Sequence, residues 1–143
     1  MKRIIFISFL FITVMATDAM AACTDKFQAR LVVLLGDKTV CKADGSGGFE
    51  WQEYHKLPNN RANNLIDYKK GPTDPVDPTK AVGRWVVAKG GSPDATITYN
   101  YGPGAVYTYK VHGPDGGPFS FCDATTGQEV VGGAYLVPGQ GPC

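Results

Sequence analysis

The sequence predicts an all-β domain: a small antiparallel meander of about eight strands, closing into a barrel or a two-layer sheet, with a short N-terminal helix. Three observations predict it. All 18 Gly and 10 Pro of the 143 residues fall after residue 21, a density of chain-breakers that suits short strands and tight turns better than a helical bundle. Hydrophobic residues make up 43% of the chain and aromatics 11%, which excludes a disordered polymer. Alternating apolar and polar runs recur at short spacing, each bounded by a Gly-, Pro- or Asn-rich stretch.

The N-terminus has the three parts of a secretory signal peptide. Lys2 and Arg3 are a basic start, Ile4 to Val14 an apolar run, and Ala19-Met20-Ala21 a small-residue cleavage site. The run is too short to span ~30 Å of hydrocarbon, and no second one follows. The expected mature product is one domain over 22–143, periplasmic or secreted. Met20-Ala21-Ala22-Cys23 is also similar to the lipobox of bacterial lipoproteins, with Met20 where that pattern prefers Leu. That resemblance implies an alternative product anchored by a lipid on Cys23. The whole chain has 14 Lys+Arg and 13 Asp+Glu; losing the leader removes Lys2, Arg3 and Asp18 and leaves 12 of each sign. A neutral chain has no electrostatic footing on nucleic acid or anionic membrane.

Cys23, Cys41, Cys122 and Cys143 are an even set in an exported chain, which reads as two disulfides. Four Cys allow three pairings, and closure of nearby segments favours Cys23–Cys41 with Cys122–Cys143. Each bond would then close about 20 residues and stabilise by ~3 kcal/mol. No two Cys have the short spacing of a zinc site or a C-x-x-C redox motif.

Thr24 is a candidate cap for a helix that puts Phe27, Leu31 and Leu34/Leu35 on one face and ends at Gly36; alternation of Phe27, Ala29, Leu31, Val33 and Leu35 suits a strand equally, and the cap and closing glycine favour the helix. Strands follow at 38–43, 49–57, 65–69, 82–88, 96–101, 106–112, 119–122 and 129–137. Polar loops separate them at 58–64 and 71–80; the second holds Pro72, Pro75 and Pro78, which cannot donate to a ladder. The hairpin over 96–112 is the best-defined element. Ile97, Tyr99 and Tyr101 share one face, as do Tyr107, Tyr109 and Val111 across the turn. Pairing Tyr101 with Tyr107, Tyr99 with Tyr109 and Ile97 with Val111 satisfies both strands, with this face inward.

Chemistry-bearing patterns are sparse, and none assigns a catalytic residue. Trp51, Glu53 and His55 share a strand face, and His112 or Asp67 would be needed to complete a metal site. A polar strand face is the plainer reading, so no metal or cofactor is expected. Ser46 and Ser92 sit in Gly-rich turns and Ser120 inside a strand, with no G-x-S-x-G elbow. Glu50, Glu53 and Glu129 are available for paired-carboxylate hydrolysis, but about 120 residues is small for a glycosidase. Asp74 and Asp77 do not match a calcium loop. The surplus lies in the aromatics: Trp51, Tyr54, Trp85, Tyr99, Tyr101, Tyr107 and Tyr109 either fill the interior or line a ligand site.

Val82-Gly83-Arg84-Trp85-Val86-Val87 followed by Thr96-Ile97-Thr98-Tyr99 resembles the G-x-W-x-V … T-x-T-Y hairpin of small exported bacterial proteins of lipocalin-like build. Leu34-Leu35-Gly36-Asp37-Lys38-Thr39-Val40-Cys41 looks like the helix-to-first-strand opening of the same proteins. In lipocalins the G-x-W lies on the first strand, whereas here it is mid-chain. A disulfide-stapled small barrel is also similar in build to periplasmic inhibitors of lysozymes and proteases. The expected function is that of an exported, non-enzymatic binding protein, inhibitor-like in its concrete form, with a protein or small molecule as partner. Trp51, Glu53, His55, Trp85, Tyr99 and Tyr109 are its candidate ligand-binding residues, with the Pro-rich loop as another contact. The alternatives are a small hydrolase using Glu53 and His55, and a structural envelope protein.

Overall fold

The computed structural model describes residues 22–57, 63–69, 71, 73 and 80–143. Residues 1–21, the expected leader, residues 58–62 of the first polar loop, and Pro72, Asp74, Pro75, Asp77 and Pro78 of the second lie outside the described residues. Eight antiparallel strands form one closed barrel: β1 Lys38–Ala43, β2 Phe49–His55, β3 Asn64–Lys69, β4 Lys80–Ala88, β5 Thr96–Asn100, β6 Val106–His112, β7 Phe119–Asp123 and β8 Glu129–Pro138. Each strand pairs with its sequence neighbours and β8 closes on β1. Of the two expected architectures, the barrel forms. Closure removes every free sheet edge. Helix α1 (Leu31–Leu35) precedes the strands. The up-and-down order puts α1, the ends of β2, β4, β6 and β8 and the starts of β1, β3, β5 and β7 at one end, the helix end. The ends of β1, β3, β5 and β7 and the starts of β2, β4, β6 and β8 lie at the other, the hairpin end.

Period-2 alternation builds the core. Leu65, Trp85, Ile97, Tyr99, Val111 and Phe121 point inward and are essentially without exposure. On β8 the alternation breaks twice: the register shifts between Phe121 and Cys122, which faces Glu129, and between Phe119, which faces Ala134, and Phe121, which faces Val131, where β8 carries one extra residue. Gly133 takes that bulge at φ +68, which keeps both Val131 and Ala134 buried. A smaller buried cluster, Tyr54, Ile66 and Tyr68, belongs to the opposite face of β2 and β3.

Three expectations are corrected. The helix is only five residues long, and Thr24 does not cap it; the residue preceding it is Arg30, with no side-chain cap bond. Residues 24–30 are drawn away from helix by β6: Gln28 N donates to Val111 O at 2.8 Å, Gly113 N donates to Lys26 O at 2.8 Å, and Phe27 bridges His112. Gly36 does close the helix, its N–H donating to Val32 O at 3.0 Å, and the left-handed residue is Asp37 at φ +54. Leu31 and Leu35 enter the core and plug the helix end.

The hairpin register is shifted by two residues. Tyr99 faces Tyr107 and Ile97 faces Tyr109. Tyr101 N donates to Ala105 O at 2.9 Å, so pairing continues to a three-residue Gly102-Pro103-Gly104 turn, tighter than the expected register allows. A two-residue shift preserves the inward face. Tyr99, Tyr109 and Val111 stay in the core, while Tyr107 emerges half-exposed.

The disulfides are Cys23–Cys122 and Cys41–Cys143, not the local pairs. The barrel topology decides this. The N-terminal segment runs beside β6, next to the β7 strand that carries Cys122, and β1, which carries Cys41, neighbours β8, whose tail ends at Cys143. With Cys23 Sγ bonded to Cys122, Cys23 has no free thiol in this arrangement.

Candidate functional site

The six candidate residues all belong to the barrel interior. Trp51, Glu53 and His55 alternate along β2, Trp85 lies on β4, Tyr99 on β5 and Tyr109 on β6. Glu53, His55 and Trp85 have no exposure and Tyr99 almost none. Tyr99 is the hub, with ring centroids of Trp51, His55, Tyr101, Tyr109 and Phe121 all 5.4–6.4 Å from its own. These spacings fall in the range of favourable aromatic pairs.

The polar atoms inside are tied to one another. His55 Nδ1 faces Glu53 O at 3.2 Å and Nε2 faces the Tyr99 hydroxyl at 2.8 Å. A carbonyl only accepts, so the neutral ring carries its proton on Nδ1 and Nε2 accepts from Tyr99. Burial pushes His55 down to about 3, against weaker support from backbone bonds. It is therefore uncharged near neutral pH. The Tyr101 hydroxyl stands 2.8 Å from each Glu53 carboxyl oxygen. Burial, then the Glu53 charge, drives Tyr101 far above the ordinary phenol value. The same two causes lead for Tyr99. Tyr109 rises to about 12 through burial first, then Tyr107 and Glu53. These tyrosines remain protonated, and Tyr99 and Tyr101 serve as donors. Trp85 Nε1 donates to Lys56 O at 3.2 Å, whereas the buried Trp51 Nε1 has no hydrogen-bond partner among the described residues.

Asp67 of β3 stands opposite Glu53 and is itself buried. Cross-strand neighbours on one face have Cβ atoms about 5 Å apart, so two carboxyl groups share the wall between β2 and β3. The sequence alone presents Asp67 only as a spare metal ligand and Tyr101 only as one aromatic among seven. An acid on the same strand face as Leu65, in Leu65-Ile66-Asp67, was the available signal for the first. Nothing local pairs Tyr101 with Glu53 across 48 residues.

The remaining candidates are dispersed. His112 is on the outer wall near the N-terminal segment, its Nδ1 3.0 Å from Asp25 O and its ring edge-on to Phe27. Ser120 is fully buried and donates to Glu129 Oε2 at 2.6 Å. Tyr54 lies on the other face of β2 and donates to Asp37 Oδ1 at 2.9 Å. Among the described residues no three His, Cys, Asp or Glu side chains gather to hold a metal, and no helix is long and apolar enough to cross a membrane.

Depressions lined by described residues lie at the surface. One, of about 380 Å³, runs between α1, the start of β1, the end of β8 and the 113–118 turn. Another, of about 440 Å³, lies over β3, β4 and β5 beside Gly83 and Tyr101. An eight-stranded antiparallel barrel is compatible with a lipocalin-like build. No protein-family model matches the chain, and neither a curated protein nor a solved structure is significantly similar to it.

Proposed function

We propose that this is an exported, non-enzymatic binding protein that engages a protein partner through its surface, in the manner of a stapled-barrel inhibitor. The observation that carries the reading is the filled interior: Trp85, Tyr99, Phe121, His55 and Glu53 occupy the space where a chambered barrel would hold a ligand. Two disulfides suit an oxidising compartment and hold the scaffold rigid. Val106, Tyr107 and Val130, each about half exposed, begin β6 and β8 at the hairpin end and offer an apolar rim. Export, cleavage after residue 21 and a periplasmic or secreted destination belong to the same proposal.

The test is capture of a partner by the oxidised protein from envelope and host extracts, repeated with Val106→Asp and Val130→Asp. A partner retained by the wild type and lost from both variants supports the proposal. Capture that survives both substitutions, or no capture at all, overturns it. A second reading, a small hydrolase using Glu53 and His55, has one observation in its favour: two carboxyl groups stand opposite each other inside the wall. A hydrolytic activity that persists in folded His55→Ala removes it.

A further inference from the structure

We propose that the groove along α1 is a second binding site, for a single-chain anionic amphiphile of the fatty-acid type. It lies at the helix end, away from the rim proposed for the protein partner, and does not depend on that reading. Its volume of about 380 Å³ is within the range of small-molecule sites. Leu34, Phe119 and Leu136 form an apolar floor continuous with the core, and Val33, 65% exposed, forms the lip.

The charge of the lining selects the head group. Arg30 and Lys38 line the groove, and no carboxylate does. Lys38 Nζ donates to Val33 O at 2.9 Å and to Leu34 O at 2.8 Å, which fixes the ammonium at the groove and leaves one of its three protons to offer. The backbone selects the tail. Four carbonyls around the groove are already engaged: those of Val33 and Leu34 by Lys38, that of Arg30 by Leu34 N, and that of Gly113 by Gln28 Nε2. A peptide laid here would bury amides without partners, at a cost of roughly 1–3 kcal/mol for each group left unmatched. An alkyl chain has no such groups. One anionic end and an otherwise apolar body meet both conditions.

The experiment uses oxidised protein expressed from the full chain with its native N-terminal segment, stripped of bound lipid. Dodecanoate, dodecanol and an acidic, leucine-rich peptide are titrated separately by calorimetry, with amide shifts recorded alongside. The expected result is saturable dodecanoate binding below its micelle concentration, with shifts confined to α1, the start of β1, the end of β8 and the 113–118 turn. Val33→Asp, at an exposed position, weakens dodecanoate at least ~10-fold. Arg30→Ala weakens dodecanoate about two- to fivefold and leaves dodecanol unchanged. No saturable binding, shifts centred on the hairpin end, indifference to Val33→Asp, or preference for the peptide each overturns the proposal.

Discussion

At the scale of single residues, the barrel interior is organised around a polar chain embedded in aromatics. The Tyr99 ring fills the centre while its hydroxyl satisfies His55 Nε2. Tyr99→Phe keeps the ring and leaves that nitrogen unmatched, so it is expected to destabilise by about 1–3 kcal/mol in urea unfolding, with native aromatic circular dichroism retained. His55 adds a pH dependence with a definite sign. Unfolded, it takes a proton near 6.5; folded, burial holds it neutral down to about 3. Between those values the unfolded chain binds more protons, so stability falls as pH falls, by up to about 1.4 kcal/mol per pH unit from this group. Comparison with His55→Gln isolates the effect. The stability advantage of the wild type over that variant is expected to shrink between about pH 7 and about pH 4, and a constant difference would contradict the assignment.

At the scale of elements, backbone approach and turn length govern what the side-chain pattern leaves open. Gly83 of β4 lies so close to β5 that an added Cβ would stand 2.5 Å from Asn100 O and 3.2 Å from the Tyr101 ring. Neither backbone oxygen nor core ring can yield cheaply, so Gly83→Ala is expected to cost about 1–3 kcal/mol by parting the strands. Gly141→Ala, with open space around its Cβ, is the control and is expected to stay within about 0.5 kcal/mol of wild type. The hairpin shows how far alternation reaches. It sorted Ile97, Tyr99, Tyr109 and Val111 inward and Thr98 and Thr108 outward, where their hydroxyls bond at 2.9 Å. It could not distinguish two registers two residues apart, because both keep the same faces. The turn hydrogen bonds made that choice. Strand limits moved by only a residue or two, as with β4, which begins at Lys80 because Lys80 pairs with Asp67.

At the scale of the whole molecule, the two disulfides tie the ends of the chain across the barrel. They join residues 99 and 102 positions apart, in place of loops of about 20. Loops of that size remove far more freedom from the unfolded chain, and replacing either cystine by two serines is expected to cost about 4–5 kcal/mol. Non-reducing peptide mapping should recover Cys23 linked to Cys122 and Cys41 linked to Cys143. The second bond also seats the tail, where Thr39 Oγ1 lies 3.0 Å from Gly139 O and Cys143 N donates to Gln52 Oε1 at 2.9 Å.

By itself the sequence determined the class of fold, the eight strands, the short helix closed by Gly36 and the inward faces. All of these follow from alternation and from Gly and Pro placement, which act over a few residues. Tertiary structure alone decided which cysteines meet, which register the hairpin takes, and that Glu53, Asp67, His55 and three tyrosines share one interior. Those are facts about strands brought side by side by barrel closure, and partners nearly 50 or 100 residues apart leave no local periodicity to read. The groove beside α1 belongs to the same group. It exists because residues 24–30 run along β6 instead of extending the helix, leaving Val33 exposed above a floor supplied by β7 and β8.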